Sequence, residues 1–219
     1  MNDLTKNLHK YFVNNTKKKL HKWFHYFDVY EKYLSKYQNT PAVLLEIGID
    51  EGGSLLMWKN FLGKDSKIIG LDINPKCKNL AKEDFEIYIG NQNDENIINE
   101  IKKNNPKIDI VIDDGSHKME DMIASFEFFY DFIDSNGIYI AEDTHTSYWK
   151  DYGGGLGKED TFIEYAKKKI DELHLTQRGP DIEISKFAKT TNNINFYDSI
   201  VVFEKKIQGK RRAPVTGPI

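Results

Sequence analysis

The side chains most able to do chemistry fall in two short runs, Asp113-Asp114-Gly115-Ser116-His117 and Glu142-Asp143-Thr144-His145. Each closes an apolar run, Ile108–Ile112 and Gly137–Ala141. Adjacent carboxylates at a buried strand end are costly unless something uses their charge. Neighbouring strands lie about 4.8 Å apart, so acids at two strand ends can converge on one point. Asp114, Glu142 and Asp143 then make an all-oxygen set, which selects a hard cation such as Mg²⁺, Mn²⁺ or Ca²⁺. His117 stands three residues past Asp114, at the start of the next helix. From there it can face a metal-bound substrate as a general base, a task its free pKa suits. The plainer alternative is that these acids cap helices. Two acidic strand ends with a His favour a site over that reading. His117, His145 and Asp114 also compose the two-His, one-carboxylate set of a non-haem iron centre.

A third run, Glu46-Ile47-Gly48-Ile49-Asp50-Glu51-Gly52-Gly53-Ser54, follows the first apolar strand. Its glycines let the backbone turn and approach a ligand, and Ser54 can cap the helix behind it. The Gly-Lys-Ser/Thr of a phosphate loop is absent, and the glycine spacing departs from the dinucleotide fingerprint. An acid before widely spaced glycines suits a ligand with an amino-acid tail, as in an S-adenosylmethionine (SAM) loop. Asp72 closes the second strand, 24 residues past Gly48. It can take both ribose hydroxyls of an adenosine, or cap the turn before Pro75. Gly90-Asn91-Gln92-Asn93-Asp94 offers polar groups for an adenine edge, or a turn with a helix cap.

These runs need a scaffold, and the apolar pattern supplies one. Strand-like segments at 43–47, 67–72, 85–89, 108–113 and 137–142 alternate with helical stretches at 54–62, 75–82, 94–104 and 118–133. Such alternation implies βαβ units and a parallel sheet covered on both faces. A Gly-rich loop at 153–157 precedes a helix at 159–174; Trp149–Gly157 reads as a lid over the acceptor, or its glycines as merely disordered. Two further strand-like runs, Ile182–Ala188 and Asp198–Glu204, have no helix between them and should pair antiparallel. The expected fold is therefore α/β and Rossmann-like: seven strands, mostly parallel, with an antiparallel terminal hairpin. Residues 4–38 read as helical, with Leu20, Trp23, Phe24, Phe27, Tyr30, Tyr33, Leu34 and Tyr37 as an apolar stripe that packs on the domain or flaps over a pocket. The division expected is a helical segment at 1–40, a catalytic domain at 41–206 and a flexible tail at 207–219.

Charge excludes more than it selects. With 31 basic and 34 acidic residues, net charge is −3, which gives no pull toward nucleic acid or anionic membrane. The lysine runs at 17–19 and 167–169, and the basic 210–212, are scattered as solvated faces are. No apolar stretch approaches the ~20 residues of a membrane span. The N-terminus lacks a signal peptide's apolar core, and Cys77 is the single cysteine. A cytoplasmic protein with no disulfide framework is expected.

Taken with Leu45–Leu55, Leu71-Asp72-Ile73, the 90–94 cluster, Val111–His117, Glu142–Trp149 and Phe196–Val202, the motifs resemble those of metal-dependent sugar O-methyltransferases of the macrolide and tetracenomycin type, in a family with proteins called cephalosporin hydroxylases. The resemblance runs from about Trp23 to Lys205. It implies a class I methyltransferase that carries SAM and Mg²⁺ (or Mn²⁺ or Ca²⁺) and methylates a hydroxyl of a sugar or sugar nucleotide. It implies Asp114, Glu142 and Asp143 as metal ligands and His117 as base. It places Glu46, Gly48, Ser54, Asp72, Gln92, Asp94 and Asp113 at the SAM site. Those antibiotic-sugar enzymes carry a separate N-terminal domain for assembly and acceptor binding, where this chain has a short helical lead. Their homo-oligomeric assembly and acceptor choice therefore do not transfer. A phenol or amine acceptor, or an iron oxygenase, is the alternative.

Overall fold

The computed structural model describes residues 7–175, 183–209 and 212–217. Seven strands form one sheet in the order β3-β2-β1-β4-β5-β7-β6. They are β1 (Val43–Ile47), β2 (Lys67–Asp72), β3 (Glu86–Ile89), β4 (Ile110–Asp113), β5 (Ile138–Ala141), β6 (Thr191–Tyr197) and β7 (Ile200–Lys205). The first five pair in parallel; β7 runs antiparallel to both β5 and β6. The expected mixed sheet with its terminal hairpin is what forms. Strand order turns back between β1 and β4, which opens a crevice at the carboxyl ends of those strands.

Alternation along each strand divides the core. Leu44, Ile68, Ile110, Ile112, Ile138, Ile140 and Val202 point to one face, under α1 (Leu8–Val13), α2 (Tyr26–Leu34) and α3 (Gly53–Leu62). Leu45, Ile69, Val111, Tyr139, Val201 and Phe203 point to the other, under α4 (Glu95–Asn104), α5 (Met119–Phe129), α6 (Phe162–Leu173) and α7 (Lys186–Thr190). Helix α2 packs Tyr26, Phe27, Tyr30, Tyr33 and Leu34 inward, with Tyr30 edge-on to Trp58 of α3 at 5.0 Å. Each such side chain contributes about 1.5–3 kcal/mol by leaving water.

Three sequence expectations need correction. The N-terminal segment is not one helix: among residues 7–38 only α1, α2 and a single 3₁₀ turn after α2 are helical, and 15–22 is irregular. Asn14 and Asn15 turn the chain there by bonding Lys10 and Lys18 carbonyls. Trp23 and Phe24, placed in the buried stripe, are 51% and 63% exposed. The stretch 75–83 winds as 3₁₀ turns, ended by Asp84 at φ 67°. The penultimate strand is not 182–188. Residue 182 lies outside the described residues, and Ser185 caps the short helix α7, its Oγ accepting from Ala188 N. Strand β6 follows as Thr-Asn-Asn-Ile-Asn-Phe-Tyr, an edge strand only partly buried. Its outward polar residues hide the strand from a search for apolar runs. Among the described residues no helix is long and apolar enough to cross a membrane.

Candidate active site

The ladder hydrogen bonds continue one residue past β4 and β5. Asp114 N donates to Ile47 O and Glu142 N to Asp113 O, both at 2.9 Å. Glu46, Asp113, Asp114, Glu142 and Asp143 are thereby set in register at the sheet's mouth. Past β4 and β5 two non-glycine residues are left-handed, His117 at φ 56° and Asp143 at φ 51°. Such backbone costs about 1–3 kcal/mol and collects at functional sites. Thr146 Oγ1 braces both, lying 3.1 Å from His117 O and 2.8 Å from Asp143 O.

The braced pair faces Asp114. His117 Nε2 lies 3.7 Å from Asp114 Oδ1 and 3.6 Å from Asp143 Oδ2. These three residues offer donor atoms within 4.8 Å of one another, close enough to surround one ion. Tyr26 fixes Asp143 from behind, its hydroxyl donating to Oδ1 at 2.5 Å. Glu142 and His145 stand outside that group. His145 packs edge-on against Trp149 at 4.7 Å and Trp23 at 6.3 Å. Tyr152 continues this aromatic wall, 6.5 Å from the His117 ring.

Glu142 is fully buried and turns to a residue that sequence reasoning missed. Lys22, its side chain 3% exposed, places Nζ 2.6 Å from Asp114 Oδ2, 2.8 Å from Glu142 Oε2 and 3.6 Å from Glu46 Oε1. One ammonium thus joins the ends of β1, β4 and β5. Burial opposes its charge, but Asp114, Glu142 and Glu46 outweigh that and hold its pKa well above the ordinary lysine value. Burial pushes Glu142 well up, against the pull of Lys22, and raises Glu46 likewise. Glu142 Oε1 and Glu46 Oε1 are buried without a close hydrogen bond, with the Tyr30 hydroxyl beside the first carboxylate and the Trp58 indole beside the second. In sequence, Lys22 is one lysine among aromatics. The sole signal was indirect: several acids gathered at one mouth need a cation.

A cavity of about 580 Å³ opens above this cluster. Gly48 and Asp72 line it from the strand ends, Ser54 from the start of α3, and Leu20, Lys22 and Trp23 from the segment before α2. Gly48, at φ 80°, lets β1 meet β4, since a Cβ there would fall 2.0 Å from Asp114 O. Ser54 Oγ donates to Glu46 Oε2 at 2.6 Å, below the cavity floor. Asp72 shapes the loop: Oδ2 accepts from Ile49 N and Asp50 N, and Oδ1 from Asn74 N. Gln92 bonds Asp113, Ser125 and Ser116 N, and lines a smaller pocket beside Gly90 and Asp72. Asp113 is buried beneath the site, accepting from Tyr139 at 2.7 Å, and burial pushes its pKa up to about 7. Asp94 is not brought to the main cavity; it caps α4, with Oδ1 accepting from Asn96 N.

Residues 28–155 match the family model described as rhamnosyl O-methyltransferase/CmcI. The chain is 36% identical over 154 residues to demethylmacrocin O-methyltransferase of Streptomyces fradiae, covering 66% of this chain and 38% of that protein. It is 28% identical over 208 residues to 8-demethyl-8-(2-methoxy-alpha-L-rhamnosyl)-tetracenomycin-C 3'-O-methyltransferase of Streptomyces olivaceus, covering 90% and 53%. The chain thus spans about half the length of these relatives, or less. Among solved structures, the MycE methyltransferase of mycinamycin biosynthesis, in complex with Mg and SAH, superposes with a TM-score of 0.83 at 26% identity. That match covers 93% of this chain and 55% of MycE.

Proposed function

The chain belongs to the rhamnosyl O-methyltransferase/CmcI family, and from that premise we propose that it is a SAM-dependent O-methyltransferase acting with a divalent cation on a sugar hydroxyl. The observation that carries this is the convergence of Asp114, His117 and Asp143 on the cavity that Gly48 and Asp72 also line. The donor set suits Mg²⁺ or Mn²⁺: Asp114 and Asp143 each present an oxygen, and the buried Glu142 Oε1 is the reserve for a third. In this reading bound SAM supplies the methyl group and the bound cation lowers the acceptor hydroxyl's pKa.

The chain's own residues do the rest. The Gly48 turn and Ser54 receive the amino-acid end of SAM, and Asp72 the ribose side. His117 Nε2 would take the hydroxyl proton as the acceptor oxygen bonds the methyl carbon, whose bond to sulfur breaks to leave S-adenosylhomocysteine. Trp23 lines the cavity, and Trp149 and Tyr152 continue from it by ring contacts through His145, an aromatic surface for the acceptor. Holding both reactants aligned accounts for much of the rate. A glycoside or sugar nucleotide is the acceptor class, and the cytoplasm, where SAM is made, the compartment. The tetracenomycin and oleandolide relatives, whose names print a rhamnosyl or olivosyl group on the methylated compound, support the sugar. Incubation with SAM, Mg²⁺ and a panel of free and nucleotide-linked deoxysugars should yield S-adenosylhomocysteine and a methyl ether, and EDTA should stop it. Transfer that survives EDTA, or that needs iron and 2-oxoglutarate, sinks the reading.

A further inference from the structure

We propose that Lys22 is a positioning residue for the divalent ion: it holds one oxygen each of Asp114 and Glu142 and so sets these carboxylates before the ion arrives. The proposal rests on the metal reading above.

The geometry divides each carboxylate in two. Lys22 Nζ takes Asp114 Oδ2 at 2.6 Å, while Oδ1 of the same group faces His117 and is left for the ion. It takes Glu142 Oε2 at 2.8 Å, while Oε1 stays buried without a hydrogen bond of its own and the Tyr30 hydroxyl stands beside that carboxylate. Ligating carboxylates need such outer partners to fix their rotamers. The ammonium's short contacts go to protein oxygens, so its role is to orient these carboxylates rather than grip a ligand.

Geometry decides between positioning and competition. The Asp114 oxygen that takes the ammonium is not the one that faces His117, so Lys22 and the ion fit together.

The segment that delivers Lys22 is fixed at both flanks. Lys19 O lies so close to Gly53 that a Cβ there would sit 2.1 Å away, and Leu20 packs on the core. On the other flank Tyr26 bonds Asp143. Lys22 is therefore built into the site by its neighbours, as a side chain that only sampled the mouth would not be.

The test is Mn²⁺ affinity by EPR on the full chain. Lys22→Met should weaken Mn²⁺ binding about 10–100-fold, the usual effect of losing an outer-shell partner. Lys22→Arg, which keeps the charge, should bind more tightly than Lys22→Met. Unchanged affinity in Lys22→Met makes Lys22 a bystander, and tighter binding makes it a competitor; either overturns the proposal. Should Lys22→Met fail to fold by circular dichroism, Lys22→Met with Glu46→Gln removes the ammonium together with a carboxylate outside the ion's group, and the same affinity comparison applies. Wild type that binds no Mn²⁺, with or without S-adenosylhomocysteine, overturns the metal reading itself and this inference with it.

Discussion

Two lysines are buried among the described residues, Lys22 at the mouth of the sheet and Lys205 at its base. Both are nearly sealed from water, yet their surroundings differ in kind. Lys205 Nζ points at the backbone carbonyls of Tyr130, Asp131 and Ile133, 2.7–3.3 Å away, where the chain leaves α5. Carbonyl dipoles at a helix end satisfy an ammonium without neutralising it. Burial therefore lowers the Lys205 pKa, while carboxylates raise that of Lys22. A cation spent on dipoles closes a structural account, since every partner is paired. A cation facing more acids than it can neutralise leaves charge over, and charge left over at a cavity wall belongs to a ligand. The base of the sheet is complete in itself; the mouth is not.

The hardest blow to this contrast concerns His117. If the mouth is built for chemistry, His117→Ala should lower turnover 10²–10⁴-fold, the usual worth of a general base. Mn²⁺ and S-adenosylhomocysteine affinities should stay near wild type. Loss of Mn²⁺ binding in that variant would make His117 a third ligand to the ion, as its 3.6 and 3.7 Å approaches to Asp143 and Asp114 permit. Wild-type turnover would remove it from the mechanism.

At the base the expectation reverses. Lys205→Met strands carbonyls that have lost their donor, at about 1–3 kcal/mol of stability for the deletion. Denaturant melts should show it, while Mn²⁺ affinity and turnover per folded molecule stay unchanged. An effect of Lys205→Met on metal binding, once the folded fraction is matched, would mean that the two ends of the sheet communicate.

How far the sequence foretells this arrangement depends on where the apolar signal is strong. Strands β1, β2, β4 and β5 are buried on both faces, so they read as continuous Val, Ile and Leu runs with their acids at the ends. That made the sheet, and the approach of Asp114 to Asp143, legible. Edge strand β6 carries Asn192, Asn193 and Asn195, and its position was misjudged because a half-wet strand need not be apolar. The N-terminal stripe failed for another reason. Trp23 and Phe24 keep helical spacing with Phe27 and Tyr30, but helical spacing cannot register that Lys22 is drawn into a charge cluster nearly a hundred residues away in sequence. A long-range ion pair outweighs local periodicity, and no local pattern announces it.

Asp94 marks the boundary between what resemblance implies and what the geometry supports. By resemblance it belongs to the SAM site, beside Gln92. Its carboxylate is instead engaged at the start of α4, accepting from Asn96 N at 2.9 Å and Asn96 Nδ2 at 3.2 Å. Helix caps of this kind contribute about 1 kcal/mol, within a range of roughly 0.5–2. Asp94→Ala should therefore cost that much in a chemical melt and leave S-adenosylhomocysteine affinity, measured by calorimetry, where it was. Asp72→Ala is the control, because Asp72 lines the cavity and also holds the Ile49 and Asp50 amides. That variant should weaken the same ligand through both roles. Equal losses of affinity in the two variants would return Asp94 to the site, and would mean that ligand binding draws α4 toward the cavity. Loss in Asp72→Ala alone leaves Asp94 as a cap, whose sequence position beside Gln92 reflects the helix it begins.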